Sequence, residues 1–491
     1  MSKYWILVAI LLPIIGGVLV PLLPLKKRGH MMIFLEAITL ITSAVVWALL
    51  LGGTTEVFHV VRFVKDLSIS FKIDGLTMVF AGLVSVLWPL ATLYAFEYME
   101  HEGHEKFFFM FYSMTYGVTL GIAFASDMLS MYFFYELLTL TTVPLVMHTL
   151  KREAILASRK YLYFSLGGAA FALIGLVFII VYGNTCEFVL GGVLAMEQIG
   201  EKANLLLVVY LLAFMGFGVK AAIWPLSSWL PQAGVAPTPV TALLHAVAVV
   251  KAGVFAIIRL TYYSFGTEFL RGTWVQYVVM AIAMFTIVYG CSKAAKETHI
   301  KRRLAYSTVS NLSYVIFGAT IMTPLGLVGA LCHLVCHAFM KICSFLCAGA
   351  FMHQTGKSYV YEMDGMGRRM PIVFGCFTVS ALGLMGVPGL AGFISKWNLT
   401  AAAVESGNKL SYFGIVCLLI SALLTAIYML NIVVRAYFPG CGFNYDAIKT
   451  VKDPGWKMCL PLLICAVGVI CLGLCSGRLV QFFADVAAGL Y

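Results

Sequence analysis

The chain has 491 residues, 61% of them hydrophobic and 11% charged. Ordinary soluble proteins carry about 25% charged residues, so this composition excludes a soluble domain of any size and describes a polytopic membrane protein. The net charge of +11 fits basic loops on one side of a bilayer rather than a nucleic-acid surface.

Apolar runs of about 20 residues recur along the whole chain and predict an all-α protein of about fourteen transmembrane helices. They lie at 4–23, 31–52, 76–97, 106–126, 128–149, 160–183, 203–233, 238–261, 273–293, 302–322, 326–352, 371–400, 408–436 and 457–478. The first run imitates a signal peptide. Its positive charge (Lys26, Lys27, Arg28) follows rather than precedes the apolar stretch and no small-residue cleavage pattern is present, so it reads as a retained helix. Two runs are too long for a simple span: 203–233 would reach about 45 Å as one helix, and 371–400 nearly as far. Pro225 and Pro231 interrupt the seventh span, and Gly386, Pro388, Gly389 and Gly392 interrupt the twelfth. Both are expected to be discontinuous.

The breaks lie five spans apart. A five-helix unit repeated once must be inverted in the membrane, because an odd number of crossings reverses direction. The chain therefore divides into helices 1–3 (1–105), a first inverted repeat (106–261), a second (262–436) and a final helix (437–491). Paired interrupted segments point to a transport site, although glycine and proline are frequent in membrane helices and chance spacing is the competing reading. With the amino terminus outside, inner loops and helix ends hold twenty of the 33 lysines and arginines, Lys26, Lys301 and Arg303 among them. Outer ones hold nine, including Lys65 and Arg259. The asymmetry predicts a cell (inner, cytoplasmic) membrane protein with both termini outside.

Four lysines (Lys220, Lys251, Lys341 and Lys396) fall inside these spans, with Glu136 also buried. A charge at bilayer depth costs roughly 2.5–3.5 kcal/mol even on lenient scales, which no passive anchor needs. Glu136 and Lys220 offset one another as a pair. A lysine withdrawn from water yields its proton more readily and a nearby carboxylate strengthens its hold, so such a pair can be loaded and unloaded; a plain interhelical lock is the alternative. His245 lies six residues before Lys251. On one regular helix their side chains point about 120° apart, and His245 stays open between a core histidine and a relay. His333, His337 and Lys341 follow at four-residue intervals and form one stripe. Cys332 and Cys336 flank that stripe on another face and no carboxylate completes a site, which disfavours metal. Lys396 follows the second break and is either a midplane group or a lysine snorkelling to an interface beside Trp397. Ser307, Ser310 and Ser313 are expected to hydrogen-bond across helices. The thirteen cysteines contain no Cys-x-x-Cys, so no iron–sulfur cluster, structural zinc or other cofactor is expected, and any electron transfer belongs to another subunit.

The stretches FFYELLTLTTVPLV, GVKAAIWPLSSWLPQAGVAPTPVTALLHA, IKRRLAYSTVSNLSYV, HLVCHAFMKICSFLCAGA and MPIVFGCFTVSALGLMGVPGLAGFISKW, in this order, resemble the antiporter-like subunits of respiratory complex I, membrane-bound hydrogenases and Mrp-type cation/proton antiporters. The likeness spans about residues 76 to 436. It implies the fourteen-helix fold with two inverted repeats and a midplane row of charges. Glu136 matches the family's helix-five glutamate and Lys220 its helix-seven lysine. Lys251 and His245 match the helix-eight relay, His333, His337 and Lys341 the helix-eleven stripe, and Lys396 the helix-twelve terminal group. Some complex I members carry glutamate at that last position, so lysine narrows the subgroup; with no long lateral helix expected after the fourteenth span, which argues against the distal complex I subunit, a hydrogenase-linked or Mrp-type subunit is expected.

The expected function is proton translocation within a multisubunit complex. Its partners would be other integral membrane subunits in the bilayer, with a peripheral hydrogenase or dehydrogenase arm as a further candidate and no nucleic acid. Protons are preferred to sodium, since one midplane carboxylate supplies a dehydrated sodium ion poorly. A sodium-coupled subunit, a non-conducting anchor of a redox module and a carrier of an organic solute are the competing readings.

Overall fold

The computed structural model describes residues 3–24, 27–53, 56–64, 67–440 and 442–491; Lys26 and Lys65 of the loop-charge pattern and Cys441 lie outside the described residues. The chain opens with α1 (Trp5–Leu22) and α2 (Arg28–Gly52), followed by an antiparallel hairpin of β1 (Phe58–Val64) and β2 (Leu67–Phe71). Next come α3 (Gly75–Tyr98), α4 (Glu105–Phe124), α5 (Met128–Val146) and α6 (Arg152–Tyr182). After the short α7 (Met196–Ile199), α8 (Ala203–Lys220) stops, and the chain turns into α9 (Trp229–Ala233), α10 (Thr238–Ala246) and α11 (Val249–Ile258).

The second half runs through α12 (Thr267–Leu270), α13 (Trp274–Lys296), α14 (Ile300–Ile321) and the long α15 (Pro324–Thr355). It continues with α16 (Met366–Arg369), α17 (Pro371–Met385), α18 (Ala391–Glu405), α19 (Lys409–Tyr437), α20 (Trp456–Leu474) and α21 (Ser476–Ala487).

Among the described residues, 12 helices are long and apolar enough to cross a membrane. The other two of the fourteen expected spans fall on α14, which is more polar, and on the broken pair α17–α18, whose halves are each too short. Both expected breaks are present. A third occurs where an unbroken eighth span was expected: Val247 and Ala248 leave helical geometry between α10 and α11. No proline or glycine lies at that point, so the signal used for the other two breaks had nothing to detect.

Burial sorts the helices. Thr238–Phe265 is wholly buried and the Pro324–Thr355 window is 94% buried, against 39% for the windows in α1, α6 and α19. The α10–α11 segment and α15 therefore form the centre of the bundle, and α1, α6 and α19 its apolar rim, as helices hydrophobic all round require. Tyr4 packs edge-on against Phe58 of the hairpin, and a Cβ on Gly75, at the start of α3, would meet Val486 and Tyr491. Both ends of the chain therefore lie at the hairpin face, which requires an even number of crossings.

Under the hairpin, at the end of α11, sits a buried charge. Arg259, assigned above to an outer helix end, is 0% exposed. Its guanidinium holds Asp74 in a two-pronged pair at 2.6 and 2.8 Å, surrounded by the rings of Phe188, Phe255 and Tyr263 at 4.7–5.2 Å. Asp74 also caps α3 by accepting from the Thr77 amide at 2.9 Å. Burial pushes its carboxyl up, but the Arg259 guanidinium and the Lys72 ammonium outweigh that and hold it well below the usual carboxylate range. Lys301 and Arg303, assigned to an inner loop, are likewise buried, at 4% and 6%. Lys301 donates to the Ala236 carbonyl at 2.8 Å, and Arg303 to the Glu297 and Tyr428 carbonyls at 2.7 and 3.0 Å. These cations act as interhelical ties, not as solvated loop charge.

Asp74→Asn should therefore lower stability by about 3–5 kcal/mol, because it strands a buried guanidinium, and Asp74→Leu with Arg259→Met should recover much of that loss. Thermal unfolding in detergent measures both. With the native pKa depressed, the pair's contribution is complete above the unfolded carboxyl value of about 4 and is lost as pH falls through the native value.

Candidate functional site

Of the eight residues singled out by sequence, six fall into two clusters. The first joins α5 to α8. Lys220, the last residue of α8, is 0% exposed; its ammonium lies 4.0 Å from Glu136, whose side chain is 24% exposed. It donates to the Tyr135 carbonyl and sits over the Tyr135 ring, 3.5 Å from its centroid. The helix ends here because Ala222 adopts a left-handed φ of 57° and Pro225 has no amide to offer. The carbonyls of the last turn are not abandoned, since Phe217 accepts from the Tyr135 hydroxyl at 3.1 Å and Val219 from Trp229 Nε1 at 2.8 Å. Gly253 on α11 lies against the Lys220–Ala221 backbone, where a Cβ would be 2.3 Å from the Ala221 nitrogen.

The second cluster joins α11, α15 and α18. Lys251 Nζ contacts His337 Nδ1 at 2.9 Å and donates to the Leu334 carbonyl at 3.0 Å. The His337 and His333 rings stack 5.7 Å apart, and His333 Nδ1 meets the Ser395 hydroxyl at 2.9 Å. Next to Ser395 in the chain, Lys396 turns inward rather than out beside Trp397, which is 64% exposed. Its ammonium donates to the Leu384 and Met385 carbonyls at 2.8 Å each, two of the acceptors that the end of α17 leaves unpaired. Lys251, His333 and His337 are all 0% exposed. The order Lys251–His337–His333–Ser395–Lys396 thus forms a buried polar row from the centre of the bundle to the second break.

Two residues stand beside this row. Lys341 donates to the Ser307 hydroxyl at 2.7 Å and the Leu304 carbonyl at 3.2 Å, and the Tyr428 hydroxyl donates to Ser307 at 2.7 Å. Ser310 bonds across helices to the Ile287 carbonyl and Ser421, as expected, whereas Ser313 bonds back within α14. His245 stacks on Phe345 at 4.7 Å, and neither of its buried ring nitrogens has a hydrogen-bond partner. The break at Val247–Ala248 separates His245 from Lys251, so the 120° separation expected on one regular helix does not describe them. No hydrogen bond among the described residues joins the Glu136–Lys220 cluster to the Lys251 row.

The arrangement suits proton movement. Every step of the row is an amine, an imidazole or a hydroxyl, groups that can both give and accept a proton. His333 and His337 each keep a buried Nε2 without a partner, where a relay needs an open valence. Sequence reading missed Arg259, Lys301 and Glu36. The first two were masked by their places near run ends. Glu36, eight residues into α2 within MMIFLEAITLITSAVVWALL, carries the same signal that exposed Glu136.

A family model described as NADH:quinone oxidoreductase/Mrp antiporter, transmembrane, matches residues 125–425. One described as the N-terminus of NADH-ubiquinone oxidoreductase (complex I) chain 5 matches residues 64–109. The chain is 28% identical over 445 residues to NADH-quinone oxidoreductase subunit N of Desulforudis audaxviator (strain MP104C), covering 88% of this chain and 87% of that protein. A chain of the membrane-bound sulfane sulfur reductase, an archaeal respiratory membrane complex, has a TM-score of 0.87 at 23% identity, covering 99% of this chain and 97% of its own. A chain of the Mrp complex from Dietzia sp. DQ12-45-1b has a TM-score of 0.85 at 22% identity, with 100% and 98% covered.

The close fit of α18 against α17 supplies a test of the row's far end. A Cβ on Gly392 would stand 1.8 Å from the Gly383 carbonyl oxygen, so Gly392→Ala should push the two half-helices apart and draw Lys396 off its carbonyls. A loss of about 1–3 kcal/mol in thermal unfolding, with a matching fall in transport by the assembled complex, is the expected outcome.

Proposed function

Because the chain belongs to the NADH:quinone oxidoreductase/Mrp antiporter transmembrane family, we propose that it is the proton-translocating, antiporter-like subunit of a multisubunit membrane complex. The observation that carries this reading is the unbroken sequence of contacts Lys251–His337–His333–Ser395 at the buried centre of the bundle, with Lys396 adjoining it. Glu136 modulates Lys220, and protons pass by way of Lys251 and the two histidines to Lys396. His245 and Lys341 flank the row as loading and tuning groups. The chain lies in the cytoplasmic membrane with both termini outside. Residues 106–261 and 262–436 are the inverted repeats; the first holds the Glu136–Lys220 pair, and the row that starts at Lys251 crosses from the first repeat into the second.

The parent assembly is a redox-linked complex of the hydrogenase or complex I kind, or an Mrp-type antiporter. The subunit's partners are the other integral membrane subunits of that assembly and, in the redox-linked case, a peripheral hydrogenase or dehydrogenase arm. Protons suit the row better than sodium, since its members offer nitrogens and hydroxyls and no carboxylate.

Replacing Lys220 separates charge from proton exchange. Arginine keeps the positive charge but does not release its proton. In the purified complex reconstituted into vesicles, Lys220→Arg and Lys220→Ala should both cut proton uptake by about 100-fold, read by an internal pH dye. Normal uptake with Lys220→Arg would reduce the lysine to an electrostatic brace, as in a subunit that merely anchors a redox module.

A further inference from the structure

A third set of buried polar groups lies outside both clusters. Glu36 sits eight residues into α2, about 12 Å along that helix, and its Oε2 is shielded from solvent without a hydrogen-bond partner. The same holds for Trp88 Nε1 on α3 and the Tyr112 hydroxyl on α4, on side chains that are 0% and 1% exposed. These groups are neighbours: the Trp88 and Tyr112 rings are 5.7 Å apart, and Tyr112 lies within direct electrostatic reach of Glu36. Glu36, Thr39 and Ser43 recur at three and four residues and share one face of α2. Ser43 bonds to the Tyr116 hydroxyl at 2.8 Å, and Tyr116 stacks on Trp88 at 4.9 Å, which turns that face toward Trp88 and Tyr112. Buried polar atoms are nearly always paired, and an exception calls for a specific cause.

The space offered by the geometry is a cavity of about 10 Å³ bordered on one side by Trp88, Tyr112, Thr115 and Thr142 and on the other by aliphatic side chains of α5, α10 and the α10–α11 break. That is about the room one water needs, and a buried water needs two to four polar partners. On the far side the Thr142 hydroxyl meets the Tyr161 hydroxyl at 2.8 Å. Tyr161 stands beside Thr139, Ser165 and Glu136, each of which also has a buried oxygen without a partner. A polar trail therefore runs from α2 to the Glu136–Lys220 pair.

We propose that Glu36 is a further proton-loading site of this subunit, supplying the Glu136–Lys220 pair through Tyr112, a cavity water, Thr142 and Tyr161. The inference rests on the proton-translocating reading. Each hydroxyl and the water accept one proton while passing on their own, so no charge is created along the trail. Glu36 is then reprotonated from the face opposite the hairpin. Trp88 Nε1 can only donate; it anchors the water and takes no part in the transfer.

The test uses the native complex purified through a tag on this chain, reconstituted into vesicles, with proton uptake driven by a valinomycin-clamped potassium potential. Glu36→Gln should slow uptake by at least about tenfold and abolish a protonated-carboxyl infrared band, while Glu36→Asp restores part of both. Tyr112→Phe should slow uptake and leave the band. Normal uptake in Glu36→Gln beside failed uptake in Lys220→Arg overturns this branch alone, and normal uptake in both overturns the underlying reading. If Glu36→Gln does not assemble, Tyr112→Phe decides: undiminished uptake there overturns the trail.

Discussion

The need to solvate ammonium groups without water governs the centre of this bundle. Lys220, Lys251, Lys341 and Lys396 each turn to a backbone carbonyl, those of Tyr135, Leu334, Leu304 and Leu384 with Met385 respectively. The carbonyls of Tyr135, Leu334 and Leu304 lie within helices and lend a second lone pair, whereas wholly spare acceptors arise where helices end. Lys396 takes this to its limit by occupying the carbonyls freed at the end of α17. The break supplies the lysine's solvation, and the lysine satisfies the broken helix.

That arrangement bears on proton exchange as well as on stability. Of these four, only Lys220 has a carboxylate within 4.0 Å among the described residues. The contacts of the other three are neutral carbonyls, an imidazole and a hydroxyl, so a proton can leave without stranding a lone buried anion. Breaking a buried ion pair by removing one charge is strongly unfavourable, and this row avoids that penalty by having few formal pairs. Asp74–Arg259 is the contrasting case. It is a close two-pronged pair with a residue that does not release its proton, and it lies at the hairpin face away from the row. One set of buried charges is locked in a close ion pair, and the other is held by neutral partners.

Much of the site was legible because the same rule operates in one dimension. A lysine within twenty apolar residues is anomalous wherever it folds, so Lys220, Lys251, Lys341 and Lys396 stood out at once, and the four-residue spacing of His333, His337 and Lys341 survives intact in α15. The breaks at Pro225 and around Gly386–Gly392 were visible through residues that cannot continue a helix. The break at Val247–Ala248 was not, because neither residue there is a helix breaker. Arg259 and Lys301 resembled loop charge because they lie near the ends of apolar runs, where exposure depends on what covers them.

Membrane insertion, the approximate spans, two of the three breaks and the identity of the midplane charges were decided by the chain itself, through hydrophobicity and backbone chemistry that act locally. Which of those charges meet was decided only by tertiary packing. The Lys251–His337 contact joins residues 86 positions apart, and the Arg259–Asp74 pair joins residues 185 apart. Such pairings depend on which helices become neighbours, a choice made by side-chain complementarity over the whole bundle. No local pattern of residues encodes it.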